Sequence, residues 1–177
     1  NILELKTTQA AAIKIVVDAI NTLLTDAIFS FFPYYITEND DNEIETDEEN
    51  DSNSSGTSLK EPNKKTIGGM VLKEVNKTGK ILVYMRLDAD KFDIYKYNYH
   101  KKKLSIGIDI GNLLICLKCM SHFDTMTWII DDEDINKLIV ILESFERKEK
   151  KTFKLNLMDI EEETYIKDLI INLFIFV

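Results

Sequence analysis

This chain of 177 residues has few of the residue types on which secreted, membrane-bound and catalytic proteins usually depend. It contains two cysteines, two histidines, two prolines and six glycines. Two cysteines cannot form the disulfide framework of a small secreted domain, so we expect a reduced intracellular protein. The apolar stretch 169–177 is shorter than the roughly 20 residues needed to span a bilayer. The sequence therefore predicts no membrane partner.

Negative charge exceeds positive charge, and the excess is concentrated in one place. The formal net charge is −9, and the ten carboxylates and one lysine of residues 38–61 account for all of it. A basic footprint is absent at this level, so any phosphate contact must come from a local set of lysines. Residues 37–66 contain too little apolar surface to offset chain entropy, and we predict a disordered acidic insertion there. Such an insertion is either a solvated spacer or a binding segment for a basic partner.

No pattern of residues indicates catalysis. Cys116 and Cys119 have the spacing of a redox or metal motif, but a second ligand pair is missing, so packing roles are favoured. Asp131–Asp134 lacks the glycine and spaced ligands of a calcium loop and is interpreted as a solvated turn. His100 and His122 are far apart, and neither neighbours a candidate nucleophile. We therefore expect no enzyme activity, no catalytic residue, no metal and no cofactor.

Hydrophobic periodicity predicts two helices, each preceded by a strand. Residues 2–6 alternate, whereas residues 9–24 repeat their apolar side chains with helical spacing after a cap at Thr7 or Thr8. The stretch 104–108 alternates again, and a helix to residue 120 follows. Asp109 lies at this junction and is the predicted N-cap.

The other apolar stretches predict strands. They are residues 27–36, 70–75, 80–87, 92–97, 125–130, 136–144 and 152–160. Pro33 indicates an edge strand or a strand end, and Asn76–Gly79 predicts a hairpin turn. Residues 92–97 are expected to continue a meander. The order strand, helix, strands occurs in residues 2–97 and again in 103–160, which predicts an α+β fold with two helices packed on antiparallel sheets.

Three stretches resemble the N-terminal domain of a sliding DNA clamp of the proliferating cell nuclear antigen family. Leu3–Ala27 resembles its first strand and helix, Phe92–Cys119 its central crossover, and Phe153–Glu161 its last strand. The resemblance implies a clamp domain over residues 1–163. Residues 164–177 are then a divergent apolar tail in place of the interdomain linker, with the second domain absent.

The resemblance also implies a function. In that family two-domain subunits close a ring of three, helices line the hole, and the ring tethers DNA polymerase and other partners without performing chemistry. We expect a processivity factor that binds duplex DNA without sequence preference, associates with itself and acts in DNA replication and repair. The expected location is the nucleus, or a cytoplasmic replication site if the source is a large DNA virus.

By resemblance, the two helices carry the residues that face DNA. These residues are Lys14, Asn21 and Lys118. Ile15, Ile115 and Asn21 occupy positions where the family has lysines, so the positive track is thin. Whether Lys101–Lys103 compensates is left open. Attraction to phosphates at such positions is screened and independent of sequence.

The resemblance assigns two further contact surfaces. Val75 and Leu82, beside the predicted hairpin turn, are expected to form part of a docking pocket for partner proteins. Phe153, Leu155 and Leu157 are expected at the contact with a neighbouring subunit, since an unpaired strand is prone to associate with another strand.

Two other functions remain possible at this stage. The first alternative is a truncated single-domain interaction module. Such a module would cap or regulate a clamp through its strand at 152–160 without encircling DNA. The second alternative is a metal-dependent enzyme that uses Asp131–Asp134. Such an enzyme would bind divalent cations measurably, which we do not expect.

Overall fold

The computed structural model describes residues 1–37, 65–120, 125–160 and 172–175. This part of the chain contains two helices, α1 (Ala10–Asn21) and α2 (Ile110–Lys118). Neither is long and apolar enough to cross a membrane. The strands are β1 (Leu3–Thr7), β2 (Asp26–Thr37), β3 (Lys65–Val75), β4 (Leu82–Asp88), β5 (Ile94–Tyr97), β6 (Leu104–Asp109), β7 (Thr125–Ile130), β8 (Lys137–Ser144), β9 (Glu149–Asn156) and β10 (Asn172–Ile175).

The strands form two five-stranded sheets, and the first strand of each repeat lies in the sheet of the other repeat. The first sheet has the order β5-β1-β7-β8-β9, and the second sheet has the order β10-β4-β3-β2-β6. Neighbours are antiparallel, except that β10 runs parallel to β4. Each repeat contributes a strand, a helix and three consecutive strands, and its first strand pairs within the sheet of the other repeat. The predicted α+β class and the predicted repeat are confirmed.

The predicted meander is wrong at β5. After β4 the chain makes a short 3-10 turn at Ala89–Lys91 and crosses to the first sheet, where β5 pairs with β1. Asp93 helps to fix this crossing, because its carboxylate accepts the backbone N–H of Thr8 at 2.6 Å. Alternation along residues 92–97 indicated a strand correctly, but local alternation contains no information about which sheet receives it.

The expectation that Pro33 marks an edge strand or a strand end is also wrong. Strand β2 lies between β3 and β6, and it pairs with β6 only as far as Phe31. Its register with β3 shifts between Phe32 and Tyr35. Proline is tolerated here because a bulge does not require its missing N–H for the ladder.

The two helices begin differently. Gln9 is the N-cap of α1 and makes no side-chain cap bond, so the predicted cap at Thr7 or Thr8 is wrong. The Thr7 hydroxyl accepts the N–H of Gln9 at 3.0 Å instead. At α2 the prediction is confirmed, because the Asp109 carboxylate accepts the N–H of Asn112 at 2.7 Å.

A single apolar core joins both sheets and both helices. Trp128 of the first sheet meets Phe29 of the second edge-to-face, with ring centroids 5.9 Å apart and planes at 76°. Such an aromatic pair adds about 0.5–1.5 kcal/mol beyond the buried area. Both rings are almost fully buried, and the buried faces of the helices belong to the same cluster. The helices therefore keep their opposite faces toward solvent.

Two of the expected segments lie largely outside the described residues. These are the acidic insertion, of which residues 38–64 are not described, and the tail, of which 164–171 and 176–177 are not described. Within the tail, 172–175 is strand β10 on the edge of β4. The predicted disorder of the insertion stays a prediction.

Candidate nucleic-acid interface

The two helices lie next to each other and form one layer, which we call the helix layer. A Cβ added to Gly111 at the start of α2 would lie 3.9 Å from the side-chain oxygen of Asn21 at the end of α1. The N–H of Ile110 donates to the carbonyl oxygen of Thr25 at 3.0 Å, which holds the start of α2 beside the residues that follow α1. The helix layer therefore has a continuous solvent-facing side.

All three DNA-facing residues assigned from the sequence lie on the helix layer. Asn21 and Lys118 are exposed, and Lys14 is half-buried. Neither lysine forms an ion pair with any described residue. Lys118 lies in the last turn of α2, where a positive charge also interacts favourably with the helix dipole. The helix dipole therefore explains a lysine at this position as well as the contact with DNA that the resemblance implies.

The solvent side of the helix layer has little net charge. Ile15 is 70% exposed and Ile115 is 63% exposed, so both point away from the core at positions where the resemblance led us to expect lysines. Asp18 is exposed on α1 as well. The side chains of the two helices include two lysines and one aspartate. Any attraction between this surface and phosphates is therefore weak and easily screened by salt.

The lysines before β6 do not supplement the helix layer. Lys102 and Lys103 line a groove on the outer face of the second sheet, together with side chains of β2, β3 and β4. This groove lies on the face opposite the side chains that enter the core. Lys102 and Lys103 therefore do not replace the positive charge that is missing at the exposed isoleucines of the helix layer, because they line a different surface.

The proposed docking residues flank the hairpin between β3 and β4. Val75 lies opposite Leu82 in the antiparallel register, and both are half-buried. The Asn76 side-chain oxygen accepts the N–H groups of Lys80 and Ile81, each at 3.0 Å, which fixes the turn. The predicted hairpin turn is confirmed. Strand β10 lies directly beside β4 at Leu82, so one side of this position is already covered.

The proposed subunit-contact residues lie on or just after β9, at one end of the first sheet. Phe153 lies opposite Val140 and Leu155 lies opposite Leu138. Both side chains, and that of Leu157, are half-buried and pack against the core. Among the described strands, none pairs with the outer edge of β9. A partner at this edge would thus meet mainly backbone N–H and C=O groups.

The cysteines pack in and beside the core. Cys116 is buried and Cys119 is half-buried, and both are free thiols. Burial raises the pKa of the Cys116 thiol, and the neighbouring Cys119 raises it further. Cys119 lies with its sulfur 3.8 Å from the carbonyl oxygen of Ile115, one turn earlier. A raised pKa disfavours the reactive thiolate, which agrees with a packing role.

Local contacts also account for the other candidates for chemistry that the structure describes. In the Asp131–Asp134 turn, Nζ of Lys137 donates to Oδ2 of Asp134 at 2.6 Å, and this hydrogen bond lowers the pKa of the Asp134 carboxyl. His100 is exposed and its ring contacts Tyr99, whereas His122 lies outside the described residues. Within the described ranges, no group of three or more histidine, cysteine or acidic side chains is arranged to hold a metal ion.

Sequence reasoning missed the groove on the second sheet. Phe32 and Tyr35 line it and belong to the run Phe31–Tyr35, where four of five residues are aromatic, and Tyr84 of β4 lines it as well. Strict alternation would bury only every second one of them. That excess of aromatic residues was the available signal, but the lysines that join them are about 70 residues away in the sequence.

The fold described above, two strand-helix-strand units that exchange first strands beneath one helix layer, is that of a DNA-clamp domain. Residues 63–165 match the N-terminal domain of proliferating cell nuclear antigen. The chain belongs to the proliferating cell nuclear antigen family, as the sequence resemblance implied. It is also similar to the "Probable DNA polymerase sliding clamp" of Acanthamoeba polyphaga mimivirus, with 26% identity over 164 residues. That alignment covers 90% of this chain and 35% of the viral protein.

Proposed function

We propose that this chain forms part of a DNA sliding clamp subunit, a processivity factor that encircles duplex DNA and tethers DNA polymerase and other clamp-binding proteins. The observation that supports this most directly is the single helix layer on one side of two sheets related by an internal repeat. The proposed action is topological and involves no catalytic step. In this proposal the protein acts in the nucleus, or at a cytoplasmic replication site if the source is a large DNA virus.

In this proposal the helix layer faces the duplex. Lys14, Asn21 and Lys118 approach phosphates, and the contacts do not depend on sequence. The weak net charge of the layer is compatible with this role, because a ring that holds DNA by encirclement needs no strong local contact. Weak contacts also allow the ring to slide.

Assembly in this proposal uses the outer edge of β9. A strand of a neighbouring subunit would extend the first sheet there, with Phe153, Leu155 and Leu157 supporting the strand from the core side. Partner proteins would dock beside Val75 and Leu82. Repeated in a closed trimer, the same contact would enclose the DNA.

A threading experiment tests encirclement. The chain is incubated with linear duplex DNA that carries biotin at both ends, streptavidin is added to one half of the sample, and both halves are washed in high salt. A ring is retained only where the ends are blocked, whereas electrostatic binding is removed equally from both. Retention that does not depend on streptavidin would contradict the proposal, and native mass spectrometry of the same sample gives the number of chains.

One observation favours the second candidate, a single-domain module that caps or regulates a clamp without encircling DNA. Strand β10 pairs with β4 and occupies its edge at Leu82, so a partner that docks there finds less open surface. A monomer in native mass spectrometry, together with displacement of a complete clamp from end-blocked DNA when the chain is added, would support this candidate. A stable trimer would exclude it.

A further inference from the structure

The outer face of the second sheet contains a groove of about 770 Å³, which we call the outer groove. Its floor is made by Phe32, Pro33, Val71 and Tyr84. All four side chains are half-buried, so they are neither core residues nor fully solvated. Tyr35, at the rim, is 51% exposed. The groove thus presents aromatic and aliphatic surface that the described residues leave partly exposed.

The floor of the groove is held in a fixed shape by its backbone. Gly68 has a φ of +116°, and an added Cβ there would collide with the carbonyl oxygen of Pro33. The Tyr95 hydroxyl donates to the carbonyl oxygen of Phe32 from the opposite side of the sheet at 2.8 Å. Because these contacts fix the bulge from both sides, the described floor of the outer groove is preformed, which lowers the entropic cost of binding.

Three cations surround this apolar floor. Arg86 is exposed, and its Nε donates to the Asp88 carboxylate at 2.6 Å, so its charge is partly compensated. Lys102 and Lys103 are exposed and form no ion pair within the described part of the chain. The two lysines therefore provide positive charge next to aromatic rings.

The outer groove is distinct from the proposed docking position beside the hairpin. Val71 lies opposite Arg86 in the β3–β4 register, whereas Val75 lies opposite Leu82. Four residues along a strand correspond to about 13 Å. A ligand confined to the outer groove would thus leave Val75 and Leu82 accessible, so the two surfaces can be tested separately.

We propose that the outer groove binds an extended acidic segment of a partner protein that carries one large aromatic side chain. The aromatic anchor packs on Phe32 and Tyr84, and flanking carboxylates meet Lys102 and Lys103. Charge complementarity and an apolar floor select this chemistry together, since neither a purely acidic nor a purely apolar peptide satisfies both.

The acidic residues of the chain itself are a weaker match to this groove. Residues 38–61 contain ten carboxylates but no aromatic residue, and their apolar side chains are Ile44 and Leu59. Single-stranded nucleic acid also combines negative charge with flat rings. Each of these alternatives predicts a different result in the experiment below.

The experiment measures binding of a short fluorescein-labelled peptide of glutamates with one central tryptophan to the full chain by fluorescence anisotropy. We expect the double variant Lys102→Glu/Lys103→Glu to bind about ten-fold more weakly, and Tyr84→Ala to lose a similar factor. The matched control Lys77→Glu/Lys80→Glu changes the net charge equally at the exposed β3–β4 turn and should change affinity less than about two-fold. A peptide with alanine in place of tryptophan should bind about ten-fold more weakly.

Four outcomes would overturn the proposal. The first is an equal effect of the two double variants, which would indicate general electrostatics. The second is equal binding of the alanine peptide. The third is tighter binding of single-stranded oligothymidine with the same dependence on Lys102 and Lys103. The fourth is a gain of more than about ten-fold when the carboxylates of residues 38–51 are changed to amides, which would make the chain's own segment the occupant.

Discussion

The hydroxyl oxygen of Tyr95 lies 2.8 Å from the backbone carbonyl oxygen of Phe32, across the boundary between the two sheets. The carbonyl oxygen of Gly69 is 2.9 Å from the same hydroxyl, so one proton is shared between two acceptors. Tyr95 belongs to β5 in the first sheet, whereas both acceptors belong to the second. This contact fixes the bulge at Pro33 at the point where neither β3 nor β6 continues a regular ladder with β2.

Replacement of this tyrosine is expected to cost stability. Tyr95→Phe leaves two partly buried carbonyl oxygens without their donor, and we expect a loss of about 1–3 kcal/mol in the free energy of unfolding. Urea unfolding followed by tryptophan fluorescence measures it. Tyr97→Phe is the matched control, because its hydroxyl donates to the carbonyl of Lys101 at an exposed position where water can replace it. Equal losses in the two variants would contradict the role assigned to Tyr95.

The same contact predicts a dependence on alkaline pH. Burial raises the pKa of Tyr95 above its usual value, although the hydrogen bonds to the two carbonyls work in the opposite direction. Above about pH 10 the unfolded chain releases this proton while the folded chain retains it, so stability falls as pH rises. We expect Tyr95→Phe to make the decline shallower, by less than about 1.4 kcal/mol per pH unit. Urea midpoints between pH 9 and about 11 test this, with the exposed Tyr34→Phe as control.

At Gly69 the backbone of β3 lies close to the backbone at the end of β4. Its φ is +121°, and an added Cβ would collide with the carbonyl oxygen of Leu87. We expect Gly69→Ala to destabilise the fold by more than about 2 kcal/mol, because both the backbone conformation and the neighbouring backbone oppose a side chain. Gly79→Ala has a similar conformational problem, with φ +70°, but meets no atom within 4 Å. A loss of about 1 kcal/mol is expected there, and equal thermal shifts would show that the collision is unimportant.

The two helix starts provide a matched pair for capping. Asp109→Ala removes the acceptor of the N–H of Asn112 and should cost about 1 kcal/mol, whereas Asp109→Asn should retain most of the stability. Gln9→Ala at the N-cap of α1 should change stability by only a few tenths of a kcal/mol, since no side-chain bond is lost there. Differential scanning calorimetry of the three variants tests the assignment. A larger loss at Gln9 than at Asp109 would contradict it.

Local patterns predicted individual elements well and their partners poorly. Periodicity located both helices, and strand β7 has the bounds expected for it, Thr125–Ile130. Strand β9 begins at Glu149, three residues earlier than expected, because its first four residues are all exposed and give no alternation. The crossing of β5 involves the long-range contact of Asp93 with Thr8, and the bulge at Pro33 involves that of Tyr95 with Phe32. No local window of sequence contains either contact.

The candidate site shows the same limit. The resemblance assigned Lys14 and Lys118 to the DNA-facing side of the two helices, and the structure places both on the helix layer, where Ile15 and Ile115 are exposed. The outer groove did not follow from spacing, because its aromatic residues and its lysines come from distant parts of the chain. Tertiary structure alone brings the two kinds of side chain together.

The exposed isoleucine of α2 allows a direct test of the surface that faces DNA. Ile115 is 63% exposed, so Ile115→Lys adds a charge to the helix layer without removing a core contact. If the layer faces the duplex, affinity for double-stranded DNA should rise, and the slope of log K against log salt should steepen by about 0.9. Ile135→Lys, at a 55% exposed position in the turn between β7 and β8, adds the same charge away from the layer and is expected to leave the slope unchanged.

Anisotropy titrations of a labelled duplex at several salt concentrations compare the two variants, with Lys118→Gln expected to reduce the slope. Equal slopes for Ile115→Lys and Ile135→Lys would mean that DNA responds only to net charge, and the helix layer would lose its assignment as the DNA-facing surface.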